Sequence, residues 1–217
     1  MEWALLDGVP DGDVQRVLSI ARRRTFRRGE VVFHMGDPAD TLHLIVSGRF
    51  AVRVQTALAD VAVLTVLGPG EPFGELALLD PDGRRSATVE ALEPGETRSI
   101  HRPDFERLRS EHPSVTEVLV ALLAGQVRRL SGHLLEALYL PADRRVLRRL
   151  AELAEIYAPG AGEAVIPLRQ EDLAGLAGTS RATVNRVLRD EEGRGTVRLS
   201  RGRTVVLDRE ALTRRAR

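Results

Sequence analysis

Residues 73–89 of this 217-residue chain read Phe73-Gly74-Glu75-Leu76-Ala77-Leu78-Leu79-Asp80-Pro81-Asp82-Gly83-Arg84-Arg85-Ser86-Ala87-Thr88-Val89. The glycine permits a close approach of the backbone, and a carboxylate follows it directly. Arg85 can pair with a phosphate through its planar guanidinium, Ser86 and backbone N–H groups can add donors, and Glu75 can accept from a ribose hydroxyl. The stretch indicates a pocket for an anionic sugar phosphate; the alternative is a strand, a surface turn and a second strand with incidental charges.

The residues around this stretch favour an antiparallel barrel or a double-sheet roll. Residues 3–20 have apolar side chains at roughly helical spacing, with an interruption at residues 8–10. Short runs rich in Val, Leu and Phe then alternate with glycine-containing turns. The predicted strands are residues 31–33, 42–46, 50–54, 61–66, 88–92 and 97–101. That many short strands separated by glycine turns are typical of a closed or double-layered sheet.

A long helix follows, from Pro113 to Leu140, with no proline between them. Its residues alternate in spacing between 4 and 3 along one face: Thr116, Val120, Leu123, Val127, Leu130, Leu134 and Ala137. This heptad pattern predicts a seam against a second copy of the chain. Val118, Leu119 and Leu122 form another apolar face that can pack on the roll. The alternative is a helix that lies only on its own roll.

The C-terminal part reads as a helix-turn-helix with a β-hairpin after it. Pro141 breaks the long helix, and apolar residues from 146 to 156 predict another helix. Ala174 is small where two helices must cross, Gly178 can take the left-handed turn, and Ser180 is a good N-cap. The inner face of the second helix consists of Val184, Val187 and Leu188. An ordinary helical hairpin with a solvated basic face is the alternative.

The outer face of that second helix carries the residues expected to contact DNA. Arg181 and Arg186 can each reach guanine O6 and N7 in the major groove. We expect Gln170, Ser180 and Thr183 to contact phosphates, and Arg201 and Arg203 at the tip of the hairpin to do the same. Ala182 and Asn185 are the remaining candidates on the outer face of the helix.

Composition and charge exclude several classes. The chain has no cysteine, which excludes disulfides and thiolate metal sites. No uninterrupted apolar run approaches 18 residues and no leader is present, so we expect a cytoplasmic protein without a membrane partner. Residues 1–140 have 16 Arg against 20 Asp and Glu (−4), and residues 141–217 have 16 against 11 (+5). This asymmetry indicates that only the C-terminal part meets a polyanion. No set of catalytic groups stands out, so we expect no enzyme.

The roll, long helix, hinge and winged helix-turn-helix, in that order, resemble the cyclic-AMP receptor protein / fumarate–nitrate regulator (Crp/Fnr) family of bacterial transcription factors. The resemblance implies an α+β chain with a β-roll effector domain at residues 1–112, a dimerisation helix at 113–140 and a DNA-binding domain at 141–217. It also implies a phosphate-binding cassette made of Gly74, Glu75, Leu76, Arg85, Ser86 and Ala87. Leu130 and Ser131 fall where cyclic-AMP responders often present a Thr-Ser pair to the base.

Two further departures from the family pattern concern the DNA-binding domain. Ala182 replaces a common glutamate, so the contact to cytosine N4 is lost and the operator should be looser at that base pair. Glu191 and Thr196 stand where the family usually buries apolar residues beside the wing.

The resemblance implies a homodimeric regulator of a palindromic operator, with a cyclic nucleotide such as cyclic AMP as effector and no required cofactor. If the protein is an activator, RNA polymerase is a partner and the loop at residues 158–163 a candidate contact. One alternative is an effector-independent regulator with a vestigial cassette. The other is a cyclic-nucleotide module that does not bind DNA.

Overall fold

The computed structural model describes residues 3–55, 61–80, 83–160 and 162–216. Pro81 and Asp82 of the predicted cassette, and residue 161 of the predicted polymerase loop, lie outside this range. The chain divides into two compact units, one made of the chain up to Val54 together with Val66–Arg129, the other of Gln55–Thr65 together with the chain from Leu130.

Eight strands form two antiparallel four-stranded sheets in the N-terminal part. The sheet orders are β1-β8-β3-β6 and β2-β7-β4-β5. The strands are β1 (Arg22–Phe26), β2 (Val31–Phe33), β3 (Thr41–Ser47), β4 (Phe50–Gln55), β5 (Val61–Leu67), β6 (Pro72–Phe73), β7 (Thr88–Ala91) and β8 (Gly95–His101). Aromatic and aliphatic side chains fill one core, with Phe50 wholly buried and its ring 5.4 Å from that of Phe73. The predicted double-sheet roll is thus confirmed.

Helices cover this roll on the side of the first sheet. They are α1 (Asp11–Ile20), α2 (Leu76–Leu79) and α3 (Arg102–Glu111), with a short 3₁₀ turn at Ala4–Leu6. A second core cluster joins them to the sheet and contains the wholly buried residues Leu42, Leu44 and Phe105. Neither β1 nor α2 was predicted. Of the five β1 residues only Phe26 is buried, so the strand has no apolar alternation to indicate it.

The long helix α4 spans Pro113–Tyr139, as predicted to within one residue. Val115 and Leu119 are buried in the second core cluster, which confirms that one face packs on the roll. Another stripe is exposed, and Val120, Val127 and Leu134 are each more than 60% accessible. By length and composition a window of α4 also meets the criteria for a membrane span, which the search for uninterrupted apolar runs missed. Its two apolar stripes account for that composition.

The C-terminal part is a winged helix-turn-helix. The break predicted at Pro141 lies between α4 and α5 (Ala142–Tyr157), whereas the division into compact units falls inside α4, after Arg129. The other elements are β9 (Ala164–Ile166), α6 (Gln170–Ala177), α7 (Arg181–Gly193), β10 (Val197–Ser200), β11 (Arg203–Val206) and α8 (Arg209–Arg215). The strands form one sheet in the order β10-β11-β9, and α8, which was not predicted, packs on α5.

A buried polar cluster explains Glu191 and Thr196, whose presence beside the wing the sequence left without a reason. Glu191 is 1% exposed, and its Oε2 accepts a hydrogen bond of 2.6 Å from the Thr196 hydroxyl. Arg215 of α8 and Arg194 donate to its Oε1 at 3.0 and 3.4 Å. The carboxylate is therefore paired and hydrogen-bonded, which is the condition under which a charge can be buried.

Candidate functional site

The cassette is built around a close approach between Gly74 and Arg85. Gly74 follows β6 with a φ of +87°, and its carbonyl accepts a hydrogen bond of 3.1 Å from Arg85 Nη1. A Cβ at position 74 would lie 2.5 Å from that same nitrogen. The conformation and the space both require glycine. Glu75 then precedes α2, of which Leu76 is the exposed first residue.

The guanidinium of Arg85 is fixed by Thr41 and Phe33, and one of its N–H groups has no partner among the described residues. Its Nη2 donates to Thr41 Oγ1 at 2.9 Å, and its guanidinium carbon lies 3.9 Å from the centre of the Phe33 ring. The residue is only 5% exposed. Its Nε is fully buried and has no hydrogen-bond partner among the described residues. Buried donors are rarely left unpaired, and Arg85 also lines a cavity, so this N–H is a candidate donor to a bound ligand.

Burial is the largest cause of the pKa shifts of the charged groups at this site. It lowers the pKa of the Arg85 guanidinium, although Asp40, Asp37 and Glu75 act in the opposite direction. Burial also raises the pKa of the Glu75 carboxyl, and the nearby Arg85 charge opposes this only in part. The site therefore combines a cation and a carboxylate that are both costly to hold in their charged forms. Perturbed pKa values of this kind cluster at functional sites.

His43 lies beneath Arg85 and was not singled out by the sequence. Its ring stacks on that of Phe73 with 4.9 Å between centroids, and its Nδ1 is 3.0 Å from Thr97 Oγ1. Burial, reinforced by the charges of Arg85 and Arg24, lowers its pKa to about 3. The imidazole is thus neutral near pH 7 and adds no positive charge beneath the arginine.

A cavity opens over the cassette. All six predicted cassette residues line it: Gly74, Glu75, Leu76, Arg85, Ser86 and Ala87. Four α4 residues complete the wall, namely Leu122, Leu123, Gln126 and Arg129. Leu130 and Ser131, predicted to face the base, are not part of this lining within the described protomer. The sequence analysis missed Gln126 and Arg129. The available signal was their polar side chains, since Gln126 lies one turn before Leu130 and Arg129 directly precedes it.

The helix-turn-helix has the predicted local geometry. Gly178 ends α6 in the left-handed conformation, with φ +58° and ψ +48°. Ser180 caps α7, because its Oγ accepts the Thr183 N–H at 3.2 Å. Val184, Val187 and Leu188 are buried, as their spacing predicted. The turn and the cap together fix where α7 begins.

The predicted DNA-contacting residues lie together on the outside of α7 and at its start. Arg181, Ala182, Asn185 and Arg186 are exposed, and Gln170 Oε1 accepts a 3.2 Å hydrogen bond from Asn185 Nδ2. Arg186 forms a two-pronged ion pair with Asp143, which raises the pKa of its guanidinium. Arg201 and Arg203 are exposed at the turn between β10 and β11, as predicted for a wing.

A cavity on a β-roll, together with a winged helix-turn-helix that has an arginine-bearing outer face, defines the class of two-part DNA-binding regulators. Comparison with known proteins agrees with this class. Residues 23–112 match the model of the cyclic nucleotide-binding domain, and residues 144–215 match that of the Crp-like helix-turn-helix domain.

The chain is 35% identical to the CRP-like cAMP-activated global transcriptional regulator of Mycobacterium tuberculosis, over 88% of this chain and 87% of that protein. It is 37% identical to the cyclic AMP receptor protein of Thermus thermophilus, over 91% and 89% of the two chains. Its fold matches the solved structure of FixK2 from Bradyrhizobium japonicum with a TM-score of 0.79 at 24% identity, over 90% and 96% of the chains.

The chain belongs to the Crp/Fnr family of DNA-binding transcription regulators with a cyclic nucleotide-binding domain. It is a regulator and not an enzyme, as the sequence indicated. Membership in this family also removes the alternative of a nucleotide-binding module without DNA binding.

Proposed function

We propose that the protein is a homodimeric regulator whose binding to a palindromic operator is controlled by a cyclic nucleotide, with cyclic AMP the first candidate. The observation that carries the proposal is the buried Nε of Arg85, which has no hydrogen-bond partner among the described residues, on a side chain that lines the cavity. A cyclic phosphate would supply the missing acceptor and neutralise a cation that burial destabilises. The related regulators named for cyclic AMP point to the same ligand.

The residues proposed to bind the nucleotide contact different parts of it. Arg85, Ser86 and the backbone at Ala87 hold the phosphate, while Glu75 accepts from the ribose 2′-hydroxyl and Gly74 allows the close approach. Gln126 offers a donor and an acceptor on one side chain, which suits the N6 and N7 edge of adenine. Ser131 remains a candidate to contact the base. In the proposed dimer it would reach the cavity from the partner protomer.

The second copy is proposed to pack along the exposed stripe of α4. Val120, Val127, Leu130 and Leu134 are all exposed in one protomer, at the heptad spacing that a coiled coil uses. Leu123 belongs to the same seam but also lines the cavity. It gives a bound nucleotide a direct contact with the helix that pairs, so that repacking at the cavity can alter the paired helices.

A dimer presents two α7 helices, and successive major grooves on one face of DNA are about 34 Å apart. The operator is therefore proposed to be palindromic, with Arg181 and Arg186 reading guanines in each half. Gln170, Ser180, Thr183, Arg201 and Arg203 contact phosphates. The protein acts in the cytoplasm. Where it activates, the loop at residues 158–163 contacts RNA polymerase.

The experiment uses DNA that the purified protein selects from a random pool, labelled for fluorescence anisotropy. Addition of cyclic AMP should tighten binding at least tenfold in the wild type and leave an Arg85→Gln variant unchanged. A wild-type affinity that stays constant up to millimolar cyclic AMP and cyclic GMP would instead support the effector-independent regulator. The replacement of the expected polar base partner by Leu130 is the feature that favours that second candidate.

A further inference from the structure

Both arginines placed to read bases are paired with carboxylates from other helices. Arg186 donates from Nη1 to Asp143 Oδ2 at 3.0 Å and from Nη2 to Asp143 Oδ1 at 2.5 Å. Asp143 lies in the first turn of α5. Arg181 Nη1 lies 3.1 Å from Glu171 Oε1 of α6. Thus two elements that do not read DNA each place a carboxylate against a reading arginine.

The pairing occupies the same donors that base reading needs. A guanidinium recognises guanine by directing two N–H groups at O6 and N7. In Arg186 both terminal nitrogens already bind Asp143. The carboxylate and the guanine edge both present two acceptors to the fork, so Arg186 can exchange one for the other but cannot hold both.

The wing arginines differ in this respect. Arg201 and Arg203 are exposed, and neither has an ion-pair partner among the described residues. They can contact the phosphate backbone without breaking any internal contact. The domain therefore has two kinds of exposed arginine. The wing arginines can bind phosphates directly, whereas Arg181 and Arg186 are each paired with a carboxylate.

We propose that Asp143 and Glu171 are specificity-determining residues that keep the reading arginines away from the phosphates of non-operator DNA. A phosphate needs the same donors of Arg186 that Asp143 occupies, so on a wrong sequence it can only exchange one two-pronged ion pair for another, and Arg186 adds no net phosphate contact. A guanine at the right position offers a matching pair of acceptors, and the arginine transfers to it. The carboxylates therefore lower affinity for non-operator DNA more than for the operator.

The test compares the wild type with Asp143→Asn, which removes the charge and keeps the shape. On non-operator DNA we expect affinity to rise roughly three- to tenfold per reading head. The dependence of log K on log salt should steepen by about 0.9 for each arginine freed to contact a phosphate. Affinity for the selected operator should rise less, so the ratio of the two affinities falls. An equal change on both DNAs, or a gain confined to the operator, would overturn the proposal.

Two controls keep the result interpretable. Asp190→Asn removes the other carboxylate near Arg186, which is 3.9 Å away on the same helix and makes no two-pronged pair, so its effect should be smaller. Glu171→Gln tests the same inference at Arg181 if Asp143→Asn disturbs the start of α5, which thermal unfolding would reveal. Equal effects of Asp143→Asn and Asp190→Asn would mean that net charge alone matters, and would contradict the proposed role of the paired geometry.

Discussion

The buried hydrogen bond between Thr196 and Glu191 allows the effect of Thr196→Val on the free energy of unfolding to be predicted. This change keeps the side-chain volume and removes only the hydroxyl that donates to Glu191 Oε2 at 2.6 Å. A hydrogen bond to a charged group contributes about 1.5–3 kcal/mol, and Glu191 is too deeply buried for water to replace it. Oε1 keeps Arg215 and Arg194, and the Glu191 carbonyl, which the same hydroxyl contacts at 3.0 Å, keeps the backbone N–H groups of Arg194 and Thr196, so the main loss is at Oε2. We therefore expect the DNA-binding domain to lose about 2 kcal/mol of unfolding free energy.

The matched variant replaces both partners by apolar groups, as Glu191→Leu with Thr196→Val. Since neither buried group is then left unsatisfied, stability should return to within about 1 kcal/mol of the wild type. Native-state hydrogen exchange of the α7 amides measures the local free energy without requiring the whole chain to unfold in one step. The reasoning is refuted if Thr196→Val changes that free energy by less than about 0.5 kcal/mol, or if the double variant is as unstable as the two single changes added together.

Three other predictions concern the seam, the effector site and the buried His43. Val127→Asp places a charge on the exposed stripe and should convert a dimer into a monomer in analytical ultracentrifugation, while the control Val165→Asp, at an exposed valine of β9, should leave the dimer intact. Burial raises the pKa of the Glu75 carboxyl, so Glu75→Gln removes a charge that is costly to bury and should increase the melting temperature of the ligand-free protein. The same change should weaken cyclic-AMP binding roughly 10- to 100-fold in calorimetry, because the carboxylate is the proposed acceptor for the ribose hydroxyl. A lower melting temperature would contradict this prediction. The pKa of His43 is lowered from 6.5 to about 3, so between these pH values the unfolded chain binds a proton that the folded chain does not. Stability should therefore rise with pH across that window by up to about 1.4 kcal/mol per unit, and His43→Gln should flatten this dependence in urea titrations at several pH values.

The elements that the sequence predicted are those whose signals are local. The heptad pattern of α4 and the turn at Gly178 each depend on residues within a few positions of one another. The cap at Ser180 is equally local, because its acceptor and the Thr183 N–H are three residues apart. These features therefore appear in the structure close to their expected positions.

What the sequence did not predict depends on contacts between distant residues. β1 is a row of arginines with one buried phenylalanine, and it becomes a strand because it pairs with β8. The sequence predicted that Arg85 binds a phosphate, but the residue that anchors its guanidinium, Thr41, is 44 residues away. The acceptor for Arg186 on Asp143 is 43 residues away. No periodicity relates such pairs, so only the folded chain brings them together.

Glu191 is a departure from the family pattern that the sequence left unexplained and the structure accounts for. The sequence placed a carboxylate in an apolar position, and its partner Arg215 comes from α8, a helix that was not expected. Once α8 packs on α5, a charge that looked unsupported has an ion pair and a hydroxyl donor.

A cyclic nucleotide in the roll and DNA on α7 should each change the affinity for the other, and reciprocal titration measures this coupling. The dissociation constant of cyclic AMP is measured by calorimetry on the free protein and again on the protein saturated with its selected operator. Because binding linkage is reciprocal, the factor by which DNA tightens cyclic-AMP binding must equal the factor by which cyclic AMP tightens operator binding, and we predict at least tenfold for both. Cyclic AMP that binds equally well with and without DNA, or does not bind at all, would contradict control of this regulator by that nucleotide.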